Sequence, residues 1–200
     1  DMSLFDHLFR PKDAGKSDRA KQNGIRFIEL SNYTPVFRDW HGEIYEDALV
    51  RAAIDARARH ISKLKVELRG NAQPGLQTKM RQGPNQWQTY SQFLYRLSTI
   101  LDIHNTAFIV PVFDQFEEVS GYYPVQTSMC QLKDYGGEPW LQYTFQSGQT
   151  ATIELKQCAI LTKFQYQDDF FGSGNQALTP TMQMLSIQDQ GVREAVKNSN

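Results

Sequence analysis

Cysteine is almost missing from this chain of 200 residues: Cys130 and Cys158 are the only two, and neither stands in a CxxC or Cys-His spacing. That count excludes a disulfide framework, disfavours a structural zinc site and points to a reducing, intracellular setting. Long hydrophobic runs are missing too. The longest apolar stretch, Ala107 to Phe113, falls far short of the roughly 18 residues a membrane span needs, and no secretion-type signal precedes it. The phosphate-cradling GxxxxGK[ST] loop of ATP-driven motors is absent, because Gly172-Ser173-Gly174 is too short and has no lysine. There is also no surplus of basic charge. With 21 Lys and Arg against 22 Asp and Glu, the formal charge is -1, which argues against a dedicated nucleic-acid binder and leaves room only for loose contact.

Two hundred residues suffice for one sizeable core. The charge is unevenly spread: residues 1 to 81 carry 15 basic and 11 acidic side chains, for +4, and the remainder 6 and 11, for -5. Asp1 precedes Met2, which reads as the natural start. Residues 11 to 24, PKDAGKSDRAKQNG, are polar and have no apolar period. Residues 1–24 are therefore expected to be a mobile N-terminal arm, with 25–200 as the folded domain.

From Tyr45 the spacing is helical. Tyr45, Leu49, Ala52, Ala53, Ala56, His60 and Leu64 fall on one stripe, and Arg51, Arg57 and Arg59 lie on its flanks. Lys65 to Leu68 alternates like a short strand, and Gly70 to Gly83 reads as a loop. Thr89 followed by Gln92 is a capping-box pattern that opens a second helix, with Phe93, Leu94, Leu97, Ile100 and Leu101 on one side. Between Ala107 and Lys163 the period shortens to two. Strands are expected at Ala107–Phe113, Tyr122–Val125, Met129–Leu132, Leu141–Phe145, Ala151–Leu155 and Ala159–Phe164, separated by Gly-containing turns. Thr179 is expected to cap a third helix with Pro180 at its first position, carrying Met182, Leu185, Val192 and Val196. The fold class is α+β, a small, mainly antiparallel sheet packed with about three helices.

Candidate chemistry is sparse. His41-Gly42-Glu43 is half of a zinc-deaminase signature whose PCxxC half is missing. His104 and Asn105 with either cysteine carry no thiol-protease signature, and a cysteine in a strand is usually a small buried hydrophobe. Asp168-Asp169 could present carboxylates to Mg²⁺ or Ca²⁺ in a metal-dependent phosphodiesterase or nuclease. Without further acids at fixed offsets, they read better as a turn that packs Phe170 and Phe171 inward. Trp87, Tyr90, Phe93 and Tyr95 form an aromatic cluster with only Arg96 close by, which favours packing over base stacking. A third reading is a module that binds peptide strands on its sheet edge.

The order of the segments is more informative than any one of them. YEDALVRAAIDARARHISKLKVEL, GPNQWQTYSQFLYRLSTILDIHNTAFIVPVFD, SGYYPV, AILTKFQY and DDFFGSGNQALTPTMQML, in that sequence, resemble the portal protein family of tailed bacteriophages, as does the opening MSLFDHLF. Pro84-Asn85 matches the family's turn before a helix. Asn105, Ala107 and Phe108 match its strand entry, with His104 where Gly is usual. Tyr123-Pro124 matches an L-x-P element loosely, Gly172 matches the Gly before the closing helix, and Thr162 stands where the family tends to have His.

The resemblance implies a wing-like portal region covering residues 44 to 196, running on toward the start of the stem of a longer subunit. It implies a non-enzymatic structural protein of the virion, present in host cytoplasm during assembly and needing no cofactor or metal. Such subunits form a ring, typically of twelve copies, through which double-stranded DNA passes with only non-specific contact. Its partners would be terminase, capsid and head-tail adaptor proteins, with no membrane involved. Within such a ring the candidate subunit-interface residues are Arg51, Arg57 and Arg59, set against the acidic second half of a neighbour.

Overall fold

The computed structural model describes residues 28–29, 45, 47–70, 74–114, 116, 118–145, 148 and 150–198. The expected N-terminal arm, residues 1–24, lies outside the described residues, as does His41-Gly42-Glu43. In chain order the elements are β1 (Ile28–Glu29), α1 (Ala48–Ile61), α2 (Pro74–Gln82), α3 (Tyr90–His104), β2 (Thr106–Phe113), β3 (Val119–Val125), β4 (Cys130–Tyr135), β5 (Glu138–Thr144), β6 (Thr150–Glu154), β7 (Ala159–Thr162) and α4 (Thr179–Asn198). The class is α+β, as expected. The strands, however, make two antiparallel sheets rather than one, in the orders β1-β4-β5-β6 and β3-β2-β7.

β2 organises both cores because it is apolar on both faces. Phe108, Val110 and Val112 point to one side and join Val125, Leu132, Leu141, Ile153 and Phe171 in the layer between the sheets. Ala107 and Ile109 point to the other side, against Phe93, Leu97 and Ile100 of α3. Pro111 fits in this central strand because it lies past the last pair with β7, Ile109 with Ala159, where β2 has a partner on one side only.

α3 begins as its sequence dictates. The Thr89 hydroxyl accepts from the Gln92 N–H, and Gln92 Oε1 accepts from the Thr89 N–H, completing the capping box. α1 starts at Asp47, whose Oδ1 accepts from the N–H groups of Leu49 and Val50 at 2.9 and 3.1 Å.

Four sequence expectations are corrected. The period of α1 is right but its phase is not: the buried residues are Ile54 and Ala58, while Leu49 and Leu64 are each 62% exposed. An alanine stripe has little area to bury, and one isoleucine outweighs it. Lys65–Leu68 forms no strand, since no described strand pairs with it and Val66 and Leu68 remain exposed. The loop predicted over Gly70–Gly83 contains α2, which Pro74 opens. Its polar surface hid a single buried anchor, Met80. The fourth concerns the last helix, which begins at Thr179 itself; the expected cap from that side chain lies outside the described residues.

Candidate functional site

The three arginines singled out in the sequence all have partners within the chain. Arg51 Nε donates to the Tyr45 carbonyl at 2.9 Å, and its guanidinium lies 5.1 Å from the Tyr45 ring centroid. Arg57 donates to Asp102, which is 7% exposed and also takes Lys163 Nζ at 2.8 Å. Arg59 pairs with Asp55 one turn earlier, and that carboxylate also accepts the Tyr95 hydroxyl at 2.7 Å. Hydrogen bonds from Arg59 and then Tyr95 hold the Asp55 carboxyl below its ordinary value, and the same Asp55 contact pushes the Tyr95 phenol up to about 12. Arg57 through Asp102, and Asp55 through Tyr95, therefore tie α1 to α3, while the Arg57 and Arg59 side chains stay 51% and 71% exposed.

The residues that carried the family resemblance are latches. Asn105 ends α3 in the left-handed conformation with φ 53°, and its Nδ2 donates to Ser173 O at 2.7 Å and Asn175 Oδ1 at 2.6 Å. Asn175 returns a bond to Ile103 O at 2.9 Å. Beside this joint the Gly172 N–H donates to Thr106 Oγ1 at 2.8 Å. A second latch holds the turn before α3, where Tyr122 N–H donates to Pro84 O at 2.7 Å and Asn85 Nδ2 donates to Tyr122 O at 2.7 Å. Gly121 is required there because a Cβ would meet Pro84 O at 2.3 Å.

Asp168-Asp169 is a turn, with Asp168 Oδ1 accepting from the N–H groups of Phe170 and Phe171 at 2.7 and 2.9 Å. Phe171 is buried and Phe170 packs beside it. Among the described residues no three His, Cys, Asp or Glu side chains are grouped to hold a metal ion. Burial pushes the thiol of Cys130 well above its ordinary value and that of Cys158 up to about 12, so neither forms a thiolate readily. No helix among the described residues is long and apolar enough to cross a membrane.

Two surfaces among the described residues stand apart from these joints. One is an open cleft of about 720 Å³ lined by Ser62 at the end of α1, by Trp87 and Gln88, by Ser91, Gln92, Tyr95 and Arg96 on the first turns of α3, and by Tyr123 on β3. The aromatic cluster read from the sequence is thus divided. Phe93 enters the core and the Tyr90 hydroxyl donates to Met80 O, while Trp87 and Tyr95 line the cleft. Tyr123 was missed as a wall because it comes from a strand 27 positions beyond Arg96, a pairing no local pattern announces. The other surface is α4, where Met182 is buried but Met184, Leu185, Ile187, Val192 and Val196 are exposed.

No family model matches the sequence, and no curated protein matches it. The fold does have solved counterparts. It is similar to a chain in a structure described as the virion of a native gene transfer agent (GTA) particle, with a TM-score of 0.60 and 11% identity over 88% of this chain and 49% of that one. It is also similar to chains in the neck of an empty GTA particle computed with C6 symmetry (TM-score 0.56, 11% identity, 87% of this chain and 48% of that one) and in the neck of a native GTA particle computed with C12 symmetry (0.56, 10%, 79% and 43%). The chain spans about half the length of the solved chains whose fold it shares.

Proposed function

We propose that this protein is a structural, non-enzymatic component of a phage-like particle at the head-tail junction, and more finely a portal subunit of the ring through which double-stranded DNA is packaged and ejected. The observation that carries the reading is the shared fold over 88% of the chain with a gene transfer agent virion chain. The portal-like segments add independent support, because Asn85, Asn105, Gly121 and Gly172 all sit in the joints that hold this fold together. So does α4, whose exposed apolar side chains are those of a helix made to be covered in an assembly. On this reading terminase, capsid and adaptor proteins bind the finished ring, and the exposed flank bearing Arg51, Arg57 and Arg59 contributes to contacts between copies.

The test is location in the particle. Gold-labelled antibody against this chain, applied to purified particles from cells that make it, should mark a single pole where head meets tail. Label spread over the head or along the tail, or no label on disrupted particles, would overturn the reading.

A further inference from the structure

The cleft beside α3 is rich in hydrogen-bond donors and carries a single charge. Arg96, half-buried, is the only charged side chain in its described lining. Its guanidinium donates to the Tyr123 hydroxyl and lies 4.8 Å from that ring's centroid, and it forms no ion pair among the described residues. The two glutamines present donors as well, and their orientations follow from backbone groups. Trp87 N–H donates to Asn85 Oδ1, so Asn85 Nδ2 is the atom that donates to Gln88 Oε1 at 3.0 Å. Thr89 N–H likewise fixes Gln92 Oε1. Both carbonyl oxygens are thereby used inside the turn, which leaves the amide NH₂ group as the donor end of two side chains that line the cleft together with Arg96. Trp87 and Tyr123, edge to face at 6.3 Å, supply the apolar wall. One guanidinium, two amides and an aromatic wall suit a single carboxylate next to an apolar side chain. A polyphosphate backbone would need more cations.

The matching group stands on the same hairpin. Between β2 and β3, Phe116 is 76% exposed and Glu118 is exposed with no ion pair among the described residues. Phe116 and Glu118 are tied from below by Asp114. Asp114 Oδ1 accepts from the N–H groups of Phe116 and Glu118 at 2.9 and 3.1 Å, Asp114 N–H donates to Glu118 O at 2.9 Å, and Lys79 Nζ holds the other carboxylate oxygen at 2.9 Å. Tyr123 pairs with Val110, five residues up the strand from Glu118, which places Glu118 and the cleft roughly 16 Å apart along the hairpin. Glu118 therefore stands about 16 Å along the strand from its own cleft, and a second copy supplies the same tip to it.

We propose that the hairpin tip of one copy docks in the α3 cleft of the next, with Glu118 on Arg96 and Phe116 against Trp87 and Tyr123. The contact is heterologous, so it generates a ring where the rotation closes and a filament where it does not. It rests on the ring reading for its setting, but it can fail separately.

The experiment is a charge swap in the full chain, read by sedimentation velocity. Arg96→Glu alone and Glu118→Arg alone should each weaken self-association at least tenfold. Mixing the two chains should restore it, because each altered surface then meets a complementary one. Phe116→Ala, at an exposed position, should weaken association without moving the thermal midpoint. Should Arg96→Glu fail to fold, a chain bearing Gln88→Cys mixed with one bearing Glu118→Cys should form a disulfide between copies on oxidation. A wild-type chain that stays monomeric at high concentration, variants that associate normally, mixing without rescue, or no crosslink would each overturn the contact. So would an acidic peptide or a DNA oligonucleotide that binds the cleft in an Arg96-dependent way while Glu118→Arg leaves self-association intact. Rings that survive Glu118→Arg would sink the contact and spare the portal reading; charge-swapped association with no label at the particle pole would do the reverse.

Discussion

Gly172→Ala is the substitution to which the structure assigns the sharpest cost. A Cβ there would lie 2.2 Å from both Asn105 O and Lys163 O and 3.1 Å from Asn105 C. Those are backbone atoms, and they are pinned: Asn105 is the left-handed cap of α3, and its carbonyl accepts the Lys163 N–H at 2.8 Å. The Gly172 backbone has no positive φ, so the constraint is space and not torsion. Overpacking a closed site costs about 1 to 3 kcal/mol. Moving the segment away also strains the bonds from Gly172 N–H to Thr106 Oγ1 and from Asn105 Nδ2 to Ser173 O, each worth about 1 kcal/mol net. The total is about 3 to 5 kcal/mol, a large share of the roughly 5 to 15 kcal/mol that holds a domain folded. Gly191→Ala is the control, since that glycine is within α4 and nothing lies within 4 Å of its added Cβ; it should gain about 0.5 to 1 kcal/mol. Urea unfolding measures both. A Gly172→Ala chain within about 0.5 kcal/mol of wild type, well below the low end of overpacking costs, would refute the reasoning.

Thr89→Ala should cost about 1 kcal/mol by removing the α3 cap, and Leu97→Ala about 2 to 5 kcal/mol by opening a cavity under β2; equal or reversed losses in denaturant melts would contradict the packing described. Asp102→Ala should cost about 1 to 3 kcal/mol and Arg57→Ala less, because Lys163 still holds Asp102 when Arg57 is gone; thermal melts of the two variants decide the order. Burial lowers the His104 imidazole to about 4 from its ordinary value near 6.5. The unfolded chain therefore takes up a proton that the folded chain refuses, so stability is full above pH 6.5 and falls by up to about 3 kcal/mol as the pH drops toward 4. His104→Gln should flatten the fall across that window in urea titrations at stepped pH, and an unchanged slope would assign it to other groups.

Local chemistry was legible in the sequence, and spatial phase was not. The Thr89–Gln92 box and the apolar side of α3 were read correctly because a cap and an i, i+3, i+4 pattern are properties of one segment. β2 was read because a strand buried on both faces is apolar throughout. α1 was given the right period and the wrong face, since its buried side depends on which neighbour arrives, and Ile54 with Ala58 left only a weak mark against a line of alanines. α2 escaped for the same reason, with one buried methionine in a polar stretch. The division into two sheets also escaped, because strand length and alternation do not say which strands pair. Of the candidate site, Arg57 and Arg59 were visible as charges and Asp55 stands one turn from Arg59 on the same helix, but the partners Asp102 of Arg57 and Tyr95 of Asp55 depend on how α1 crosses α3. The Arg96–Tyr123 wall needed the register of β3.

The distribution of side chains bears on function through what is already engaged. Asp55, Asp102, Asp114 and Asp168 each accept bonds that fix an internal joint, and both thiols are buried enough to be poor nucleophiles. Groups held in this way stabilise a scaffold. What the fold leaves outward is of a different kind: Phe116 on a braced hairpin, a donor-rich aromatic cleft on α3, and the apolar side chains of α4. Rigid joints inside and unsatisfied shape outside are what a repeating contact demands, since a small angular error at each interface accumulates around a closed ring. The latch at Pro84–Gly121 ties the turn before α3 to β3, the strand that runs from the hairpin tip to the cleft, and so bears on the contact proposed between copies.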